Sequence, residues 1–339
     1  MAEDQRPGTI YWIDHFAVAT NDLDRWIKFT VNVLGAKVDR VNGLTTEARQ
    51  RHQAVAAFCR TPYSIVDGFL QDEMLPPAPD PGASLPRFGF FINQADVDEH
   101  LRRLDEYGVA HTDAFRTSAE GQDGTAIRFC DPDGNQYEFW APTHMPAGAM
   151  AGAGPLKVGR ISHGVYECRD LDRTAEFFDR FAALDPIRSA DVPSDTMSFA
   201  LAGGGRIVFQ QVDALGEWTL GRARWQGPHT ALAVRDEDYF PNYRKMWASL
   251  PESETTTRPD ASVDVAALPA RTVMHGSGGG RRWFKMYGRG DDFYDWDTNA
   301  FHFIGSVGLA DSPDLTYQAH SMDWHIDRVP KDASGRPVV

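Results

Sequence analysis

The 339-residue chain has no run of eighteen apolar residues, no block of Lys or Arg, and only three cysteines. The first absence argues against a membrane-spanning helix. Without a basic strip, and with a formal charge of −14, the chain would repel a phosphate backbone, so nucleic acid and anionic membrane surfaces are not expected partners. Cys59, Cys130 and Cys168 are odd in number and lie apart in apolar runs, which suits buried free thiols better than disulfides or a thiolate metal site. The start, MAEDQRPGTIYW, lacks an apolar segment behind a basic end, and this points to a cytoplasmic protein.

What is present is a composition with 42% hydrophobic and 12% aromatic residues, that of a globular protein large enough for two domains. A repeat supports that count. The segment IDHFAVATNDLDRWIKFTVNVLG from Ile13 returns, degraded, as ISHGVYECRDLDRTAEFFDRFAAL from Ile161. Each copy carries a His third, then a short alternating stretch, then Asp-Leu-Asp-Arg beginning at Asp22 or Asp170. The alternation predicts a strand, and the two Asp are candidate helix N-caps. Beyond them, apolar residues near the 3.6 period, including Leu23, Trp26 and Ile27 in one copy and Leu171, Ala175 and Phe178 in the other, predict an amphipathic helix.

A second strand-to-helix start follows in each copy, from Arg87 and from His229. Each copy closes on a turn and a strand, FCDPDGNQYEFW from Phe129 and FYDWDTNAFHFIG from Phe293, with Asn135 and Asn299 in matching places. The stretch PTHMPAGAMAGAGP reads as a linker. The expected organisation is therefore a first module over 1–142, a linker over 143–157, a second module over 158–310 and a tail over 311–339. PPAPDPGASLP before Arg87 reads as a surface loop, Ser253 to Gly280 as an insertion, and GSGGGRR within and after it as a loop rather than a phosphate cradle.

With a His on each first strand and the D-P-D-G-N-x-x-E-F ending, Asp131 to Phe139, the chain resembles the vicinal oxygen chelate superfamily, which includes glyoxalase I, bleomycin-resistance proteins and type I extradiol dioxygenases. The resemblance implies an α+β fold, with paired βαβββ motifs forming two open-barrel modules. In the extradiol arrangement one module supplies three metal ligands: a His on its first strand, a His opening its second motif, and a Glu on its last strand. In the second module those places hold His163, His229 and His302, so the third is His in place of Glu. In the first module they hold His15, Arg87 and Glu138. A guanidinium stays protonated and cannot be a ligand, so the first module is expected to hold no metal, with Arg87 pairing Glu138. A site shared between modules, built on His15 or Glu138 with a second-module His, is the alternative.

Three neutral imidazoles suit a divalent metal, Fe(II) foremost, with Mn(II), Ni(II) and Zn(II) as the other candidates. Exchanging the carboxylate for His raises the charge of the site by one, which favours an anionic chelating substrate. The family's acid-base His has no counterpart in Arg206 to Val212, and its Tyr place falls on Asp292. His275, Tyr287 and Tyr294 are the candidate catalytic residues instead. Trp225, Trp283 and Trp296 are candidates to line an aromatic pocket, and His320, Trp324 and His325 in the tail to cover a sheet edge. The resemblance thus implies a metal-dependent dioxygenase-like oxidoreductase acting on a small aromatic or enolic substrate with dioxygen, as a possible homo-oligomer. A glyoxalase-type isomerase or lyase, or a small-molecule binding or resistance protein, is the alternative.

Overall fold

The computed structural model describes residues 9–42, 55–61, 64–118, 122–187, 193–225, 227–235, 273–274, 293–294, 297 and 299–307. The first repeat folds as expected: strand β1 (Ile13–Thr20) leads into helix α1 (Leu23–Val33). Asp22 caps that helix by accepting from the Arg25 N–H, and Leu23, Trp26, Phe29, Thr30 and Val33 form its buried stripe. The second copy repeats this. Strand β9 (Ile161–Cys168) leads to helix α3 (Leu171–Ala182), and Asp170 accepts from the N–H groups of Asp172 and Arg173.

Strands β2 (Lys37–Asn42), β3 (Ala56–Arg60) and β4 (Ile65–Leu70) complete the first motif. The second comprises β5 (Arg87–Phe91), α2 (Val97–Glu106), β6 (Phe115–Thr117), β7 (Gly124–Cys130) and β8 (Gln136–Pro142). After β9 and α3, the third continues with β10 (Pro186–Ile187), β11 (Thr196–Ala200) and β12 (Arg206–Gln211). Helix α4 (Glu217–Arg224) then precedes the fourth motif, of which β13 (Thr230–Arg235), β14 (Val273–Met274), β15 (Phe293–Tyr294) and β16 (Ala300–Val307) are described.

These strands make two eight-stranded sheets, ordered β14-β15-β16-β13-β1-β4-β3-β2 and β10-β11-β12-β9-β5-β8-β7-β6. The α+β architecture of two open sheets is the expected one. The pairing of motifs is not confined to a module, however. Motif one joins motif four through the antiparallel β1–β13 pair, and motif two joins motif three through β5–β9. Each open sheet therefore takes half its strands from each side of the linker.

One face of each sheet is turned toward the other. Phe16 of β1 stacks on Phe88 of β5 at 3.8 Å between centroids, nearly coplanar. Tyr166 of β9 packs edge-on to Phe301 of β16 and shares a 2.7 Å hydrogen bond with Thr230 of β13. Both contacts lie in one large core with the helix stripes, and burial of each such ring contributes about 1.5–3 kcal/mol. Because strand side chains alternate, the residues between these rings, His15 and Ala17 on β1, Gly89 on β5 and His163 on β9, belong to the outward faces, where the two candidate sites lie.

The closing turns fasten each module's last strand to its first. The Asp131 carboxylate accepts the N–H groups of Asp133, Gly134 and Asn135, while the Asn135 amide donates to the Ala19 carbonyl at 2.8 Å. Asn299 donates to the matching Glu167 carbonyl at 3.2 Å. The two asparagines thus do the same work in both copies. Two segments expected to be loose are partly packed. Leu85, in the Pro-rich loop, is buried on Val165 and Val208. In the linker, Ala149 is buried, with Met145 and Met150 against it, on Phe91, Ala126 and Trp140. Both follow from the apolar residues spaced among the Pro and Gly.

Candidate metal centre

The row of residues across the first sheet at β1 explains how three histidines meet. His15 of β1 lies opposite Ala231 of β13, and Ala231 lies opposite His302 of β16. His229 stands immediately before β13, and its carbonyl accepts from the Ala17 N–H at 2.8 Å. Ala231 has no bulk to separate the neighbouring rings. As a result, His15 Nε2 lies 3.0 Å from His229 Nε2 and 3.2 Å from His302 Nε2. All three residues are buried, and one ligand atom from each falls within 4.8 Å of the others.

The opposite ring nitrogens show what such a cluster requires. His15 Nδ1 lies 2.7 Å from the buried Asp14 carboxylate, and His229 Nδ1 lies 2.5 Å from the Gly227 carbonyl. Both partners are acceptors, so each Nδ1 carries the proton and each Nε2 presents a lone pair. Burial pushes the His229 pKa down to about 4, which keeps that ring neutral. Lone pairs converging at 3 Å in a water-poor site repel unless a cation sits among them, and the three neutral nitrogens fit a divalent metal of the imidazole-binding kind.

Beside the cluster lie an apolar group and, bonded to the Ala17 carbonyl, the buried Arg222. Ala17, Ala56, Phe58, Ile65 and Phe69 form a wall, and the Phe69 ring lies 6.2 Å from that of His229. Trp225 and Trp218 pack with Ala19 and Leu75 at the end of β1, which places one of the three expected pocket tryptophans beside the same strand. Asp67 of β4 is fully buried and lies opposite Ala17.

Of the three expected ligands, His229 and His302 come together, and their companion is His15. His163 lies in the other sheet, because β9 pairs with β5 and not with β13. There it meets Arg87 and Glu138, the positions that match His229 and His302. The Glu138 carboxylate lies 3.1 Å from Arg87, 3.0 Å from Arg128 and 3.2 Å from His163. Burial alone would raise the Glu138 pKa, but Arg87, His163 and Arg128 together outweigh it and hold the carboxyl at about 2. The expected Arg87–Glu138 pair is present. Gly89, opposite His163, is required here: a Cβ at that position would stand 2.3–2.6 Å from the imidazole ring.

His275 and Tyr287 lie outside the described residues, as do Trp283, Trp296, Asp292, the 276–282 loop and the tail with His320, Trp324 and His325. Tyr294 belongs to β15, described in its backbone pairing with Val273 and Ala300. His15 entered the expected ligands only through the alternative of a site shared between modules. The signal that distinguishes it is the residue before it: an ionisable Asp14 precedes His15, whereas Ser162 precedes His163.

A family model described as Glyoxalase/Bleomycin resistance protein/Dioxygenase superfamily matches residues 12–139. Over that stretch, the first module, the chain belongs to this superfamily. Its two-module fold is similar to that of a Bacillus subtilis protein provisionally named a dioxygenase, with a TM-score of 0.58 and 13% identity over 87% of this chain and 85% of the other. Glyoxalase I from Zea mays is similar too, with a TM-score of 0.54 and 14% identity over 86% of this chain and 91% of that one. At these identities the likeness is one of fold. No curated protein matches the chain in sequence. Among the described residues, no helix is long and apolar enough to cross a membrane.

Proposed function

We propose that this superfamily member is a metal-dependent, dioxygenase-like oxidoreductase with His15, His229 and His302 as its ligands and Fe(II) as its metal. The observation that carries the reading is the convergence of three buried Nε2 atoms, two of them with their far nitrogen fixed by an acceptor. A facial set of three neutral nitrogens leaves coordination positions open for two substrate oxygens and for dioxygen. Bound there, the metal would act as a template and stabilise developing negative charge on substrate oxygens.

The chain's own groups suit a small substrate with an apolar body and vicinal oxygens, such as a catechol or an enol. Phe58, Phe69 and Ile65 present an apolar wall that takes the body and excludes water. Ala17 and Ala231 leave room over the imidazoles. The test is metal analysis of the protein purified without oxygen, then titration with catechols under an oxygen electrode. Retained iron and oxygen uptake on substrate addition are the expected results; no redox metal and no uptake contradict the reading.

Asp67 favours a second reading, an isomerase or lyase of the glyoxalase type. A buried carboxylate two positions along β4 from the partner of His15, on the same face, is placed to take a proton from a carbon next to a bound carbonyl. Turnover that is unchanged under nitrogen, with Zn(II) or Ni(II) bound, would decide for it.

A further inference from the structure

Each of the two matching sites sets a buried carboxylate against its first-strand histidine, but at a different place. In the second sheet the carboxylate is Glu138, at the position matching His302 and 3.2 Å from His163 Nε2, and the side chain at the other ring nitrogen is neutral: Ser162 Oγ lies 3.0 Å from His163 Nδ1. In the first sheet the ligand position holds His302, and the residue touching the imidazole is charged: Asp14 lies 2.7 Å from His15 Nδ1. Asp14 is fully buried. The strand is irregular between Ile13 and His15 where it pairs with β13, and this irregularity falls at Asp14, which reaches its neighbour's ring in spite of strand alternation.

We infer that Asp14 is a positioning residue that supplies, one imidazole further out, the negative charge lost from the ligand set when His302 stands in place of a carboxylate. The inference rests on the metal reading above. Asp14 acts through His15: it holds the proton on Nδ1, turns the Nε2 lone pair toward the other two rings, and makes that nitrogen a stronger donor. With Asp14 counted, a divalent cation at the cluster would carry the same net charge as one held by two histidines and a carboxylate. The rise in charge implied by three neutral ligands is thereby offset at His15 itself, with Asp67 and Arg222 as further buried charges about Ala17.

The experiment is a calorimetric titration of the full chain with Zn(II) alone, for the unaltered protein, Asp14→Asn, Asp14→Ser (which copies the Ser162 arrangement), His302→Glu, and the double variant Asp14→Asn with His302→Glu. Loss of an outer partner of this kind weakens metal binding about 10–100-fold, and this is expected for both Asp14 variants. Restoring a carboxylate at position 302 should recover most of the affinity lost in Asp14→Asn. Affinity unchanged in folded Asp14→Asn, or no recovery in the double variant, overturns the inference. Absence of zinc binding by the unaltered chain overturns the metal reading instead. Should the Asp14 variants fail to fold, imidazole proton–nitrogen spectra of the zinc-loaded unaltered chain decide: a His15 Nδ1 proton shifted far downfield by a strong hydrogen bond to a carboxylate supports the inference, and a His15 Nδ1 proton without that shift, or one that exchanges freely with water, overturns it.

Discussion

The two sheets use matching strand positions and reach opposite ends. In the first, His15, His229 and His302 aim three neutral nitrogens at one point. In the second, Arg87 and His163 close on the Glu138 carboxylate as ion-pair partners. The difference lies in where the positive charge comes from. Arg87 carries it covalently in the second sheet, where Leu85 packs on β9 and β12 and the linker methionines on β5, β7 and β8. In the first sheet no guanidinium occupies a matching strand position: His229 stands where Arg87 does, and the buried Arg222 bonds instead to the Ala17 carbonyl. Two exchanges, Arg87 for His229 and Glu138 for His302, separate an ion-paired core from a candidate metal centre.

The largest effect expected from breaking this comparison is on metal affinity. His15→Ala should weaken Zn(II) or Fe(II) binding by more than the roughly 10–100-fold expected for an outer partner, while His163→Ala leaves affinity and stoichiometry as they were. Equal losses in the two variants would contradict the assignment of the site to the first sheet. Next comes stability. Glu138→Ala leaves Arg87 buried beside an uncompensated charge and should cost about 3–5 kcal/mol in denaturant unfolding, whereas Glu138→Gln keeps the volume and isolates the charge.

The charge also sets a pH window. The Glu138 carboxyl is held at about 2 against an ordinary value of 4.5, so its contribution to folding is complete above 4.5 and is lost as the pH falls toward 2. Acid unfolding of the unaltered chain should contain this component, and that of Glu138→Gln should lack it. A smaller effect is expected at the residues opposite the two first-strand histidines. Gly89→Ala drives a Cβ into the His163 ring and should cost about 1–3 kcal/mol, against about 0.5–1 kcal/mol for Ala231→Gly, where only strand entropy changes. Thermal melts of the two variants would compare them directly.

Much of the fold was legible because the repeat is local. Asp22 and Asp170 sit just before apolar runs of helical period, and the D-P-D-G-N turn carries its own hydrogen-bonding groups, so each element could be read from a short window. The ligand set depends on which first strand lies beside β13, and that is a long-range choice. Residues His15 and His163 occupy the same place in the repeat, and no periodicity separates them. What separates them is the partner strand: β13 brings His229 and Ala231, and β5 brings Arg87 and Gly89. The linker's packing was hidden for a related reason, since its Ala and Gly content describes the backbone and not the few apolar side chains that anchor it.

The most direct test of the account is the location of a single bound metal, by anomalous scattering from crystals of the full chain loaded with Zn(II) or, without oxygen, with Fe(II). The account predicts one peak per chain, within bonding distance of Nε2 of His15, His229 and His302, and none at His163. A peak held by His163 and Glu138, or no peak at the three-histidine cluster in metal-loaded crystals, would contradict it.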